Sequence, residues 1–202
     1  MRKLIITSLA AFALAIPAAA NAAAPEIGKA APDFETVDIN GNPFKLSDHK
    51  GEIVVLEWTN HQCPFVVKHY GTNNMQKTQK GAAEKGAKWI SIVSSAEGKQ
   101  GHITPEQAAN IIEEKGASPT AKLLDESGEI GKLYDAKTTP HMFVIDKDGN
   151  LAYAGAIDSN SSPNPKTVEG AENYVIAAVN SLAEGESVAN PQTQPYGCSV
   201  KY

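Results

Sequence analysis

The sequence predicts an α/β fold: a central mixed β-sheet with helices on both faces. Three observations point there. Residues 53–58 and 88–93 are nearly continuous apolar runs, the pattern of strands buried on both faces. A helical segment follows each run, and such alternation implies parallel strands joined by right-handed crossovers. Residues 141–146 and 151–156 are two further strand patterns joined by "KDGN", so a hairpin adds antiparallel strands.

The elements follow in order. Residues 34–39 alternate, and "NGNP" (40–43) turns them back into 44–46, an N-terminal β-hairpin. Residues 64–80 read as one helix, with Pro64 at its first position, where the missing N–H costs nothing. The clearest helix start is Thr104-Pro105-Glu106-Gln107: Thr104 caps, Pro105 opens the first turn and Gln107 completes a capping box. That helix runs to about Lys115 and stops at Gly116. Leu123-Leu124 reads as a short strand and "GEIGKLYD" as a short helix. Residues 167–183 form a long helix with Val168, Ala171, Tyr174, Val175, Ala178, Val179 and Leu182 on one face. "DSNSSPNPK" (158–166) is a loop, and an irregular tail begins at about residue 185.

The chain opens with Arg2 and Lys3, an apolar run from Leu4 to Ile16, and Ala20-Asn21-Ala22 in a small-x-small cleavage pattern. This reads as a signal peptide over residues 1–22, too short in its apolar part for a membrane span. Residues 23–202 then form one domain, exported to the periplasm or beyond. The formal charge is −5 over 202 residues and becomes −7 without Arg2 and Lys3. Arg2 is also the only arginine. An acidic chain without arginine argues against nucleic acid and against anionic membrane surfaces as partners.

Two cysteines, Cys63 and Cys198, stand in this exported chain. An even count in an oxidising compartment makes a Cys63–Cys198 disulfide the first expectation. Cys63 lies in "NHQCPF", between a strand and a helix. Free N–H groups and the helix dipole favour a thiolate there. A small buried apolar residue, or half of a structural bridge, fits the same position. Thr139-Pro140 directly precedes a strand that reads as central. A proline there fits a cis peptide that turns the backbone at a ligand site, or an ordinary trans strand start.

Glu57 interrupts the apolar run before the cysteine loop. It reads as a partly buried proton acceptor with a raised pKa or, preferably, as a salt-bridged edge acid. His61 and His141 flank Cys63 and Pro140 in sequence, and a Cys/His/His cluster suits copper or zinc. Compact metal-ligand spacing is missing, so no metal is expected. His49, His69 and His102 read as surface histidines, and Trp58 and Trp89 as strand packing.

Several segments together resemble the redoxin group, the AhpC/TSA-type peroxiredoxins and their thioredoxin-like relatives. They are "GKAAPDF" (28–34), "GNPFKLSD" (41–48), "KGEIVVL" (50–56) and "TTPHMFVIDKDGNLAYAG" (138–155). The resemblance spans roughly residues 27–185. It is nearest to a peroxiredoxin-like branch with "C-N-H-C-P" at its site and "G-C-S-x-K" at its end. Here Asn60 stands in place of the first of those cysteines, while Cys63, Pro64 and Gly197-Cys198-Ser199 are kept.

The resemblance implies a thioredoxin-like fold, a cis Pro140 and a reactive Cys63. It implies no organic cofactor. Two departures bear on the reaction. In the peroxiredoxin pattern P-x-x-x-[TS]-x-x-C, the first two named positions here are Leu56 and Asn60. The arginine that such sites place by the thiolate is also missing, and a lysine lacks its planar fork. Thiol–disulfide exchange is therefore the expected chemistry, with Cys63 as nucleophile, Cys198 resolving and Thr139-Pro140 aligning an extended substrate. Asn60, His61 and Glu57 are candidate supporting residues. The partner would be a thiol or disulfide protein or reductant, or a peroxide that oxidises Cys63 to a sulfenic acid before Cys198 condenses with it. An inert structural disulfide on a peptide-binding module remains the alternative.

Overall fold

The structure is a computed structural model and describes residues 24–202. The proposed signal peptide lies outside the described residues. A short hairpin, β1 (Glu35–Val37) and β2 (Pro43–Lys45), precedes β3 (Val54–Trp58). Two helices follow, α1 (Pro64–Gly71) and α2 (Asn74–Glu84), then β4 (Lys88–Val93). Next come α3 (Pro105–Lys115), β5 (Ala121–Leu124) and α4 (Glu129–Leu133). The chain continues through β6 (Thr138–Thr139), β7 (His141–Ile145) and β8 (Leu151–Gly155) to α5 (Tyr174–Ala183) and β9 (Cys198–Ser199).

The central sheet has the order β5-β4-β3-β7-β8. Strands β5, β4 and β3 are mutually parallel, while β7 runs antiparallel to both β3 and β8. This is the mixed sheet expected, in a thioredoxin-like arrangement. Its two faces follow from alternation along β3. Val54, Leu56 and Trp58 join a core with Phe34 and Phe44 of the hairpin segment and with Ile130 and Tyr134 around α4. Val55 points the other way, into a core that α2 and α5 close through Met75, Ala82, Val175 and Val179.

The capping box at α3 forms as read: Gln107 N–H donates to Thr104 Oγ1 at 3.3 Å, and Thr104 N–H donates to Gln107 Oε1 at 2.9 Å. Two helices differ from expectation. The segment 64–80 is not one helix; it breaks at Asn73, whose φ of 60° is left-handed. Asn tolerates that region better than most residues. The last helix starts at Tyr174 rather than 167. Gly170 has φ +80°, and Asn173 caps by accepting from Ile176 N–H at 3.0 Å. The tail is irregular but fixed, and its last residues include β9.

Candidate active site

The site is assembled where β3 ends and α1 begins. Cys63 is the N-cap of α1, and Pro64 takes the first helical position. Its loop is held by Asn60. The Asn60 side chain accepts from Gln62 N–H at 2.9 Å and donates to the Gln100 carbonyl at 3.2 Å. Cys63 N–H donates to the Asn60 carbonyl at 3.0 Å. Asn60 thus shapes the loop.

Across from the helix start, the Thr139–Pro140 peptide is cis. Cys63 Sγ donates to the Thr139 carbonyl at 3.0 Å, so the thiol and the cis-proline turn are in contact. The tail completes the group. β9 pairs antiparallel with β6, with Cys198 opposite Thr139 and Ser199 opposite Thr138. Cys198 is thereby brought beside Cys63, near enough for each thiol to shift the other's titration. Both are free thiols in this structure. Cys63 is fully buried beneath the tail, while Cys198 is partly exposed.

The two thiols titrate apart. Burial pushes Cys63 up, but hydrogen bonds from the Cys198 thiol, the Thr139 side chain, Val66 N–H and Cys198 N–H outweigh it. The net shift is downward from the usual value. Cys198 is pushed up to about 11, by burial first and then by the neighbouring Cys63. A thiolate is therefore favoured on Cys63 at the expense of Cys198.

The tail is tied down along its length. A Cβ on Gly197 would stand 2.0 Å from the Thr139 carbonyl oxygen, so only glycine permits this approach. Tyr202 lies over Gly128 and Gly131, and its hydroxyl donates to the Ala136 carbonyl at 2.8 Å. Tyr196 packs on Phe65 at 5.9 Å between centroids and hydrogen-bonds Asp158 and His69.

That last cluster was not visible in the sequence. His69, read as a surface residue, is fully buried on α1 together with Lys68. Burial holds His69 down to about 4, against the pull of Asp158 and helped by Lys68. Lys68 Nζ donates to the Asn160 carbonyl at 2.9 Å. The loop 158–166 thus carries a buried acid that links α1 to the tail.

Glu57 also departs from expectation. It is neither an edge acid nor salt-bridged; it is fully buried on the central strand β3. It accepts from Tyr70 at 2.9 Å, Trp89 Nε1 at 2.8 Å and Ser91 at 2.9 Å. Trp89 therefore has a polar duty besides packing. His61 turns away from the thiol into a cavity beside α1 and α3. His141 lies on β7 against Phe143, accepts from Lys137 N–H at 3.2 Å and is held down to about 4, mainly by burial. Among the described residues, no group of three His, Cys, Asp or Glu side chains is placed to hold a metal ion.

Comparison with known proteins agrees with this geometry. The AhpC/TSA family model matches residues 27–154. This chain belongs to the AhpC/TSA family. It is 31% identical over 128 residues to the thiol-disulfide oxidoreductase ResA of Bacillus thuringiensis and to that of Bacillus cereus. The match covers 62% of this chain and 67% of each relative. Among solved structures, an uncharacterized conserved protein from Geobacillus kaustophilus superposes with TM-score 0.71 at 30% identity, over 88% of this chain and 92% of that one. A hypothetical protein from Sinorhizobium meliloti gives TM-score 0.75 at 25% identity, over 89% and 96%. In this AhpC/TSA chain two cysteines stand side by side, an arrangement consistent with a dithiol redox mechanism. No helix among the described residues is long and apolar enough to cross a membrane.

Proposed function

We propose that this protein is an exported thiol–disulfide oxidoreductase in which Cys63 is the nucleophile and Cys198 the resolving cysteine. One observation carries the reading: the tail pairs with β6 so that Cys198 lies opposite Thr139, against Cys63. In the forward cycle the Cys63 thiolate attacks a substrate disulfide. One substrate sulfur leaves as a thiolate, and a mixed disulfide remains on Cys63. Cys198, deprotonated, attacks the Cys63 sulfur and displaces the second substrate sulfur. Two electrons pass from the protein's dithiol to the substrate, and a Cys63–Cys198 bridge is left for a thiol-protein reductant. The apolar N-terminal segment supports an extracytoplasmic, periplasmic location, and the name of the ResA relatives supports disulfide exchange.

A second reading keeps the same pair but starts from peroxide. The full burial of Cys63 under the docked tail favours a small first reactant. Peroxide would take Cys63 to a sulfenic acid, and Cys198 would condense with it, releasing water and forming the same bridge. The lack of arginine beyond Arg2 weighs against this version.

The test is turnover of a protein disulfide, and separately of hydrogen peroxide, by wild type, Cys63→Ser and Cys198→Ser. Cys63→Ser should abolish turnover, and Cys198→Ser should accumulate a mixed disulfide on Cys63. Full activity in Cys63→Ser would overturn the proposal. A Cys63–Cys198 bridge with a potential below about −300 mV that no thiol reductant opens would mark it as structural instead.

A further inference from the structure

A cavity of about 600 Å³, counting its open mouth, lies between α1, α3 and the sheet, with neither cysteine in its lining. Its walls are apolar: Val66 and Val67 from α1 face Ile111 and Ile112 from α3. A buried lysine also lines it: Lys122, only 7% exposed, whose ammonium has no hydrogen bond or ion pair with another described residue.

The sheet register explains why a lysine is buried in this place. Glu57, Ser91 and Lys122 stand in one row across β3, β4 and β5. The Glu57 carboxyl oxygens are occupied by Tyr70, Trp89 and Ser91. Burial lowers the Lys122 pKa, and Glu57 opposes that shift without pairing with the lysine. His61 adds a second unpartnered group, because its Nδ1 is buried without a hydrogen bond and its ring lines the same cavity. Burial, then Lys122 and Lys115, lowers its proton affinity, so the neutral ring can offer Nδ1–H as a donor. Lys115 stands at the same cavity as a further cation.

An ammonium that opens onto an otherwise apolar cavity is poorly solvated, and an anion held there would supply its counter-charge. A carboxylate would satisfy Lys122 and His61 together, and the apolar walls would cover a chain attached to it. The arrangement suits one anionic head and a slender hydrocarbon body. We propose that this cavity binds a medium-chain organic monocarboxylate, with its head on Lys122 and His61 and its chain between α1 and α3. The proposal is independent of the cysteine chemistry. Because Thr59 and His61 belong to the loop that leads to Cys63, occupancy would also rigidify that loop.

Sodium octanoate and 1-octanol, titrated calorimetrically into the folded protein, form the test. Octanoate should bind with a Kd below about 1 mM and at least about tenfold tighter than the alcohol. Lys122→Met should erase that preference by weakening octanoate about tenfold while leaving octanol unchanged. A buried charge replaced by an apolar side chain of similar length is usually tolerated by the fold. Ile111→Trp, at a half-exposed position, should block both ligands by filling the cavity. Failure of octanoate to bind the wild type would overturn the proposal. So would equal affinity for octanol, or unchanged octanoate binding in either folded variant.

Discussion

Gly197 and Thr139 touch through their backbones. A Cβ on Gly197 would lie 2.0 Å from the Thr139 carbonyl oxygen and 2.6 Å from its carbonyl carbon. Gly197 also has φ +144°, a conformation that residues with a side chain rarely adopt. That same Thr139 carbonyl accepts the Cys63 thiol at 3.0 Å, and Cys198 is the next residue after Gly197. The close approach therefore sets the distance between the two sulfurs.

Gly197→Ala should push the tail off β6 and leave the rest of the fold intact. The rate of Cys63–Cys198 bridge formation on mild oxidation should fall about tenfold or more, since a modest misplacement in a reacting pair carries a penalty of that order. Quenched samples resolved by mass spectrometry measure this. An unchanged rate would show that the tail does not depend on this contact.

Reactivity should divide between the thiols by pH and by access. Cys63 is shifted below its ordinary value and Cys198 is raised to about 11. Once the tail is loosened by Tyr202→Ala, which removes the ring over Gly128 and Gly131, iodoacetamide should label Cys63, at the start of α1, before Cys198. In the wild type the same labelling should be slower, because the buried sulfur must wait for the tail to open. Peptide mapping of partly labelled protein decides the order.

Acid should destabilise the fold in a defined window. Burial lowers His69 and His141 from 6.5 to about 4. Between those values the unfolded chain binds more protons than the folded one, so stability rises with pH there. The contribution is complete above pH 6.5 and is lost as pH falls toward 4. Urea midpoints taken across this window should fall steadily. His141→Asn keeps an acceptor for Lys137 N–H but cannot titrate, so it should flatten the slope. An identical slope in that variant would remove His141 from the account.

Glu57→Gln should cost about 2–3 kcal/mol of stability. Three donors converge on the Glu57 carboxyl group: Tyr70, Trp89 and Ser91. An amide turns an NH₂ group toward at least one of them, and a buried donor then faces a donor. Denaturant unfolding gives the change, and a loss under about 0.5 kcal/mol would mean that the site relaxes around the amide.

The sheet and its strands were legible because they rest on local patterns. Residues 53–58, 88–93 and 141–146 are largely apolar runs, and such runs have few other places to go than a buried sheet. The capping box at Thr104 and the placing of Cys63 at a helix start were legible for the same reason: caps depend on neighbours within one turn. The helix breaks at Asn73 and Gly170 were missed, because apolar periodicity runs across both while single residues in left-handed conformations stop the helices.

By itself, the sequence determined which residues are able to do chemistry: two thiols, one of them at a helix N-terminus, and a proline before a central strand. Tertiary structure alone decided what surrounds them. Glu57 read as an edge acid because its strand's place in the sheet is a matter of long-range pairing; in the fold β3 is central and the acid is sealed among donors. His69 read as a surface residue because nothing near it in sequence predicts burial; Tyr196 and Asp158, both distant along the chain, enclose it. The meeting of Cys198 with Cys63 is of the same kind. It depends on backbone pairing between β6 and β9 and on the missing side chain of Gly197, which are contacts between segments about sixty residues apart.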